Sequence, residues 1–265
     1  MNPPLTIVKI GGNVLDVPEA LASFLADFTS LSGAKILVHG GGKIASDIGR
    51  RLGLTPRYVQ GRRITDEATL ELVTMVYGGL INRQLTARLQ ALGCNALGIT
   101  GADGNVLPAV KRPAGEVDYG WVGDPAPERC GVETLDTWLK QGLTPVFAPL
   151  THDSEGRLLN TNADTIASVV ARALTGRYRV RLLFCFEKKG ILENPDDEKS
   201  VLPSLNPEQY RLLQQKTSVS GGILPKLDSA FAAAAGGAET VIIGSSADLI
   251  ANFAADSVCG TLIQV

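Results

Sequence analysis

Three charged residues in this 265-residue chain have the type and the setting to handle a phosphate group, and Lys9 is the first of them. Lys9 stands near the end of an apolar run, Leu5 to Ile10, and Gly11 and Gly12 follow at once. Burying a lysine charge is costly unless an anion lies beside it. In an open parallel sheet, ligands sit beyond the carboxyl ends of the strands, where glycine permits a close approach to the backbone. We therefore predict that Lys9 faces an anionic ligand.

A second apolar run, Ile36 to His39, ends in the same way, in Gly40, Gly41, Gly42 and Lys43. At a strand-to-helix junction, free backbone N–H groups and the positive end of the helix favour an anion. The spacing fits neither the GxGxxG pattern of dinucleotide sites nor the Walker pattern GxxxxGK(S/T). Glycine turns of this kind also serve packing alone. Because two strand ends break into glycines, we interpret them as two parts of one phosphate site.

The segment LLNTNAD, residues 158–164, carries two carboxamides and an acid where an extended run gives way to a helix. Asn162 is a good N-cap, and Asp164 in the first turn suits the helix dipole, so capping explains both residues. Capping leaves Asn160 unexplained. We therefore predict a polar site here that holds a substrate and orients nearby cations.

Lys226 is predicted to lie near the N-terminus of a helix, the end that disfavours a cation. With Pro225 at the first helical position, Lys226 falls in the first turn, where it opposes the helix dipole at a cost of roughly 0.3–1 kcal/mol. A bound anion would reverse the sign of that contribution. Gly221 and Gly222 precede it and supply flexible backbone. A solvated surface lysine is the alternative interpretation.

Two further segments carry weaker signals. Arg62 and Arg63 follow Gly61, and a guanidinium fork suits a carboxylate, although exposed arginines near a turn are common. In FCFEKKGIL, residues 184–192, charges and a glycine follow an apolar strand, as expected at a nucleotide pocket. An ordinary solvated turn would produce the same pattern.

The elements that must position these residues alternate along the chain. Apolar runs of strand length alternate with segments of helical period, which predicts an α/β fold with a mainly parallel sheet. Strands are expected at 5–10, 36–39, 96–99, 144–148, 179–186, 240–243 and 261–265. Helices are expected from residue 18 and over 43–52, 66–91, 132–141, 162–174, 207–215 and 225–235. A hairpin is expected around 153–156.

The stretch between Gly101 and Arg129 is rich in glycine, proline and charge. Its short alternating pieces, 105–111 and 116–122, predict hairpins. It is too long for an idle connection, so we interpret it as a flap over the substrate, with a plain surface excursion as the alternative. A lobe boundary is expected near Gly176.

Composition excludes several classes of protein. The net charge of −2 and the pI near 5.8 argue against a nucleic-acid surface. We find no signal-peptide pattern and no membrane-length apolar stretch. The four cysteines lie far apart without histidines at ligand spacing, so we predict buried free thiols and no protein-bound metal. A cytoplasmic enzyme acting on small molecules, without nucleic-acid or membrane partners, is expected.

These motifs together resemble the amino acid kinase family, and within it the N-acetylglutamate kinases of arginine biosynthesis. The resemblance runs in order along the whole chain. It rests on KIGGN at Lys9, HGGGK at His39, GRRIT at Gly61, NTNAD at Asn160, KKGIL beside Lys189 and SGGILPK ending at Lys226. The NTNAD run is the most specific, because other branches of the family carry different residues there.

The resemblance implies a single amino acid kinase domain over 1–265, with an αβα sandwich around an open, mainly parallel sheet. A lobe to about residue 176 would bind the acylated glutamate, and 177–265 would bind ATP. Lys9 and Lys226 would stabilise the transferring phosphoryl group, and Asp164 would hold both lysines. The remaining implied contacts are Gly41, Gly42, Arg63 and Asn160 for the substrate and Gly11, Gly12, Glu187, Gly190, Leu192, Gly221 and Gly222 for ATP.

The implied reaction is attack of the substrate's γ-carboxylate on the terminal phosphorus of ATP, which gives an acyl phosphate. A carboxylate is already ionised at pH 7, so no general base is needed. Because one anion meets another, catalysis should rest on positioning and on cations. Mg²⁺ would travel with ATP and keep several waters.

The chain also departs from the family pattern. Relatives often have Asp-Val-x-Gly where this chain has Glu187-Lys188-Lys189-Gly190, which weakens the nucleotide assignments there. It also begins almost directly at its first strand, without the N-terminal helix of hexameric, arginine-inhibited members. We therefore predict a homodimer that is insensitive to arginine.

Two alternatives remain open. The acyl group would be succinyl rather than acetyl if Arg62, Lys111 or Arg112 bound its extra carboxylate. A non-catalytic sensor of a nucleotide or amino acid is the alternative of another class. Such a sensor would be expected to lose at least one of Lys9, Asp164 and Lys226, and all three are present.

Overall fold

Strands and helices alternate along the chain in this computed structural model, which describes residues 2–194, 196–215, 223–253 and 258–265. The strands are β1 Pro4–Ile10, β2 Ala34–His39, β3 Tyr58–Val59, β4 Arg62–Arg63, β5 Ala96–Ile99, β6 Ala109–Lys111, β7 Gly123–Pro125, β8 Thr144–Phe147, β9 Leu150–His152, β10 Leu158–Asn160, β11 Arg179–Phe186, β12 Ser204–Leu205, β13 Thr240–Ser245 and β14 Thr261–Ile263. The α-helices are α1 Gly12–Asp16, α2 Pro18–Ser30, α3 Gly42–Arg51, α4 Glu67–Val73, α5 Asn82–Ala91, α6 Val132–Lys140, α7 Ala163–Leu174, α8 Pro207–Gln215, α9 Leu224–Ala235 and α10 Leu249–Phe253.

An eight-stranded sheet forms the centre of the molecule, in the order β12-β14-β13-β11-β1-β2-β8-β5. Neighbouring strands are parallel except β13 and β14, which are antiparallel. On β1, Lys9 is in register with Phe184 on one side and Val38 on the other. The carboxyl ends of β1, β2 and β11 therefore meet at one edge of the sheet. The predicted α/β fold with a mainly parallel sheet is confirmed.

Two apolar cores cover the two faces of this sheet. On β1, Leu5 and Ile7 belong to one core, and Val8 and Ile10 belong to the other. This division follows from the alternation of side chains along a strand. Helices α6, α7 and α9 supply the first core, and α2, α4 and α5 supply the second. The result is the predicted αβα sandwich.

The helical stretch predicted over 66–91 is present, but its middle is a π-helix, Thr74–Ile81. The sequence pattern cannot reveal this widening, because the segment TMVYGGLI is apolar throughout and shows no helical period. Gly78 and Gly79 lie within it, and Gly78 approaches Leu150 so closely that an added Cβ would lie 3.2 Å from Cδ1. Short π-helical insertions are often found at functional sites.

The hairpin predicted from the pieces 105–111 and 116–122 is present, but its second strand lies further along the chain than residues 116–122. The hairpin partner of β6 is β7, which begins at Gly123. Gly120 has a φ of +72°, and a Cβ there would lie 2.2 Å from the carbonyl oxygen of Thr65. Gly120 and Val122 instead form isolated bridges with Thr65 and Asn160. The other predicted hairpin, around 153–156, is confirmed by the pairing of β9 with β10.

The prediction of buried thiols holds only in part. Cys94 and Cys185 are buried, Cys130 is half-buried and Cys259 is exposed. Cys259 lies just before the short strand β14. Across the described ranges, no helix has the length and apolar character needed to cross a bilayer.

Candidate active site

Lys9, Asp164 and Lys226 form one buried cluster. Asp164 Oδ1 lies 2.8 Å from Lys9 Nζ and 3.4 Å from Lys226 Nζ. The exposed fractions of the two lysine side chains are 7% and 11%. The structure thus brings together the three residues whose types and positions suggested phosphate chemistry.

Three element ends converge to build this cluster. Lys9 stands at the carboxyl end of β1, and Asp164 lies in the first turn of α7, whose packing against α9 brings the starts of the two helices together. The N-cap Asn162 accepts hydrogen bonds from the backbone N–H groups of Asp164 and Thr165 at 2.8 and 3.1 Å. Lys226 lies in the first turn of α9. Since α9 begins at Leu224, Pro225 is its second residue and not its first.

The charges of the cluster are unbalanced. Burial would raise the pKa of Asp164, but the charges of Lys9 and Lys226 outweigh it and the pKa is lowered. Burial and the charge of Lys9 lower the pKa of Lys226 to about 8, although Asp164 opposes the shift. One carboxylate therefore faces two buried amines. A second anion would complete the neutralisation, so the cluster is suited to binding one.

A cleft of about 240 Å³ opens in front of Lys9 and Asp164. Both glycine turns line it, together with the segment that leads into α7 and the hairpin of β3 and β4. Its lining residues include Gly11, Gly12, Gly40, Gly41, Gly42, Tyr58, Arg62, Arg63, Tyr77, Val122, Pro149, Asn160 and Thr161.

Gly41 cannot be replaced by another residue without movement of its neighbours. Its φ is +146°, and an added Cβ would lie 2.4 Å from Ile81 Cδ1. The π-helical segment thus packs directly behind this turn. Gly41 is also the N-cap of α3, so its turn presents the start of that helix to the cleft.

The β3–β4 hairpin places Arg63 beside Gly42, the first residue of α3. Gln60 and Gly61 form its two-residue turn with φ values of +50° and +74°, which is the type I′ pattern of tight hairpins. Arg63 Nη2 donates to the carbonyl oxygen of Gly42 and to Ser46 Oγ, both at 2.8 Å. The hairpin therefore places a buried guanidinium at the cleft, where its other donors suit a carboxylate.

Asn160 lies at the end of β10, on the cleft wall. Its Nδ2 donates to Thr65 Oγ1 at 2.9 Å, and its backbone N–H donates to the carbonyl of Trp121. Asn160 thus lines the cleft, and its role in binding a substrate stays a prediction.

The structure brings only some of the residues predicted to contact ATP to the cleft. Gly11 and Gly12 line the cleft. Glu187 is exposed, and Gly190 is buried against Thr261 and Val201, so neither lines the cleft. Leu192 bridges to Val201 outside it. Gly221 and Gly222 lie outside the described residues.

Tyr58 and Tyr77 are cleft residues that sequence reasoning missed. Tyr58 is directly opposite Arg63 in the hairpin, with the guanidinium carbon 4.8 Å from its ring centroid. Its spacing from the Gln60-Gly61 turn is the signal that identifies this pairing. Tyr77 lies in the π-helix, where the chain offers no comparable local signal.

The carboxylate of the site, Asp164, is paired with two lysines. Within the described part of the chain, no group of three or more His, Cys, Asp or Glu side chains is arranged to hold a metal ion. Asp164, the acid of the cleft, is held by two lysines. The geometry therefore provides cations and backbone amides for a phosphate, a guanidinium for a carboxylate, and no protein-built metal cage among these residues.

Sequence comparison agrees with this geometry. The model of the amino acid kinase family matches residues 4–245. Acetylglutamate kinase from Cytophaga hutchinsonii is 51% identical over 93% of this chain and 93% of its own length. Acetylglutamate kinase from Methanopyrus kandleri is 41% identical over 90% of this chain and 94% of its own length.

Solved structures share the fold at lower sequence identity. N-acetylglutamate synthase from Neisseria gonorrhoeae, complexed with coenzyme A and N-acetyl-glutamate, superimposes with a TM-score of 0.83 at 24% identity. The alignment covers 100% of this chain and 60% of that one. Carbamate kinase from Giardia lamblia bound to AMP-PNP has a TM-score of 0.71 at 14% identity, with 98% of both chains covered. Because the family model spans most of the chain and the curated relatives match over nearly their full length, this chain belongs to the amino acid kinase family.

Proposed function

We propose that this chain transfers the γ-phosphoryl group of ATP to the side-chain carboxylate of N-acetyl-L-glutamate, a step of arginine biosynthesis. The observation that carries the proposal is the Lys9–Asp164–Lys226 cluster at the head of a glycine-lined cleft. The names of the curated relatives support the same substrate. The product is an acyl phosphate.

We assign the two lysines to the phosphoryl group while it is being transferred. Both amines touch one oxygen of Asp164, so the carboxylate fixes their separation before any ligand arrives. The attacking carboxylate is already ionised at pH 7 and needs no general base. Catalysis then consists of bringing two anions together and stabilising the charge on the transferring group.

Arg63 and Asn160 are assigned to the α-carboxylate end of the acylglutamate. The bonds of Arg63 to Gly42 and Ser46 use Nη2, and a guanidinium has five N–H donors in all. Gly41 and Gly42 offer backbone amides between the two ends of the substrate. The glycines after Lys9 allow the phosphates of ATP to approach the backbone.

We propose that Mg²⁺ binds together with ATP. When bound to the phosphates it would neutralise charge on the leaving group and the transferring group. Asp164 already accepts from two lysines, and no described acidic cluster is placed to form a cage. These donors fit an ion that arrives with the nucleotide.

The acetyl substrate is favoured over the succinyl one. A succinyl group brings a second carboxylate that needs a cation. Arg112 is paired with Asp124 at 2.5 Å, and Lys111 Nζ lies 4.1 Å from the ring centroid of Trp121. Of the three cations considered for this role, only Arg62 is among the cleft residues.

We also propose the division into two lobes near Gly176. The cleft is lined entirely by residues between Lys9 and Asp164, which supports an acylglutamate site in the N-terminal part. The carboxyl ends of β11 and β13 lie beside that of β1, where 177–265 would receive ATP.

A homodimer insensitive to arginine is proposed for the assembly, and the cytoplasm for its location. The exposed apolar side chains Met75 and Leu80 on the π-helix provide a surface that a second copy would cover. Light scattering with and without arginine tests the assembly. A hexamer, or a mass that changes with arginine, would contradict it.

The proposed activity is tested by incubating the protein with ATP, Mg²⁺ and an acylglutamate and trapping the acyl phosphate with hydroxylamine. We expect hydroxamate from N-acetyl-L-glutamate, with a kcat/KM well above that for N-succinyl-L-glutamate. A preference for the succinyl substrate would contradict the acyl assignment. Binding of both ligands without turnover would instead indicate a sensor.

A further inference from the structure

His39 is a fully buried polar residue that the proposed reaction does not use. It ends β2, directly before the three glycines, and its exposed fraction is 0%. Its Nδ1 lies 2.7 Å from the carbonyl oxygen of Gly40, and its Nε2 lies 3.2 Å from Asn82 Nδ2. The imidazole therefore connects the glycine turn to the start of α5, behind the cleft.

The hydrogen-bond partners determine which nitrogen of His39 carries the proton. A carbonyl oxygen only accepts, so Nδ1 donates to Gly40. Asn82 Nδ2 also donates to the carbonyl of Val146 at 2.8 Å, while Asn82 Oδ1 accepts from Arg83 Nη2 at 2.7 Å. The amide of Asn82 is thereby oriented with its NH₂ group towards His39. Nε2 must accept, so the ring is neutral with its proton on Nδ1.

Burial agrees with this protonation state. It lowers the pKa of His39 to about 4, although the bond to Gly40 opposes the shift. A second proton on Nε2 would face the NH₂ group of Asn82, and the charge would lie near Arg83. The ring is therefore neutral throughout the neutral range of pH.

The bond to Gly40 controls the direction of an amide in the cleft. The carbonyl of Gly40 and the N–H of Gly41 belong to one planar trans peptide unit, so they point in opposite directions. His39 draws the carbonyl towards the buried side of the turn. The N–H of Gly41 consequently points away from His39, and Gly41 lines the cleft.

We propose that His39 is a positioning residue, whose Nδ1–H holds the Gly40–Gly41 peptide so that the Gly41 amide is aimed at the anion in the cleft. The inference rests on the proposed function of the cleft. The His39 imidazole, behind the glycine turn, would then act together with Lys9 and Lys226 in front of the turn. Preorganised amides of this kind are worth most when they need no reorientation during the reaction.

Two substitutions separate positioning from packing. Asparagine places its amide nitrogen near the Nδ1 position, so His39→Asn can keep a donor for Gly40. Glutamine reaches the Nε2 position, so His39→Gln keeps a partner for Asn82 and loses the bond to Gly40. Both remove an imidazole from the same buried site and serve as controls for each other in stability, measured by urea unfolding.

We expect His39→Gln to lower kcat about 100-fold, the cost of one misplaced transition-state donor, and to change KM much less. His39→Asn should keep kcat within a few-fold of the wild type. Equal losses of kcat in the two variants, or wild-type kcat in His39→Gln, would overturn the proposal. His152→Gln, at the other histidine of the chain, should leave kcat unchanged.

A measurement that does not depend on turnover tests the same idea. Nitrogen NMR of the imidazoles, assigned with His152→Gln, should show His39 neutral with its proton on Nδ1 from pH 6 to pH 9. A proton on Nε2, or a titration in that range, would refute the proposal even in an active enzyme. If the wild type does not phosphorylate N-acetyl-L-glutamate, the proposed function fails, and the tautomer still decides the role of His39.

Discussion

Asp164 and Asp136 are both buried helical aspartates that receive two cations, yet they serve different purposes. Asp136, on α6, accepts at Oδ2 from Lys140 Nζ and Arg177 Nη1, both at 2.8 Å, and at Oδ1 from Tyr178 OH at 2.8 Å. The Lys140 side chain is 70% exposed and that of Arg177 is 37% exposed. Both cations of Asp136 therefore remain in contact with water.

The cations of Asp164 are buried with it. Their exposed fractions of 7% and 11% mean that water does not compensate the surplus positive charge. The number of ion pairs therefore does not identify a functional site. What distinguishes the Asp164 cluster is an excess of buried positive charge beside an open cleft, which a bound anion would relieve.

Removal of one lysine from the Asp164 cluster should reduce turnover most strongly. Lys226→Ala should lower kcat roughly 1,000-fold, because the transferring phosphoryl group loses a cation. Substrate binding should change far less, since the other contacts remain. Steady-state kinetics with saturating N-acetyl-L-glutamate measure this.

The matched control for this variant is Lys140→Ala, which removes a cation from Asp136. It should leave kcat unchanged. A wild-type kcat in Lys226→Ala would contradict the catalytic assignment, and a comparable loss in Lys140→Ala would abolish the distinction between the two clusters.

Asp164→Asn should destabilise the fold by about 3 kcal/mol at pH 7, because two buried lysines lose the carboxylate that they share. The loss should shrink as the pH rises. A buried lysine with a lowered pKa binds fewer protons in the folded state than in the unfolded one, so raising the pH favours folding. Urea unfolding at pH 7 and pH 9 measures both effects. A loss that grows with pH would contradict this account.

Asp136→Asn should cost less, about 2 kcal/mol of unfolding free energy, without changing kcat. Hydrogen bonds from Lys140 and Tyr178 lower the pKa of Asp136 to about 2 from its ordinary value of 3.8. Its stabilisation is thus present above pH 4 and lost as the pH falls towards 2. The wild type and the variant should therefore converge in stability at acid pH, which thermal unfolding between pH 2 and pH 7 checks.

The smallest effect is the pH dependence of kcat/KM for ATP, which reports on the free enzyme. Lys226 has its pKa lowered to about 8 by burial and by Lys9, so its charge is present below pH 8 and lost above it. We expect kcat/KM for ATP to fall about tenfold per pH unit on the alkaline side. Bound phosphates raise this pKa, so kcat should stay flat to higher pH.

Lys226→Arg is the control for that profile, since a guanidinium stays protonated throughout the range. Its residual kcat/KM should lack the alkaline decline near pH 8. An unchanged decline would mean that another group titrates there.

Local patterns identified most of the fold and much of the candidate site. The strand at 179–186 and the helix at 207–215 were predicted at their observed bounds, because apolar period and turn residues act over a few neighbours. The same holds for the glycine turns and for Asn162 as an N-cap. The π-helix, the true partner of β6 and the position of Glu187 outside the cleft were not accessible, because they depend on contacts between distant segments.

Residue chemistry pointed to an anion site built from the lysines, the carboxylate and the glycine turns, and the order of these motifs carried the resemblance to the amino acid kinase family. The tertiary structure decided that one oxygen of Asp164 serves both lysines and that His39 stands behind the glycine turn. Coulomb energy and desolvation depend on distance and burial, and the direction of a peptide N–H depends on what holds its carbonyl. None of these quantities is a property of local sequence.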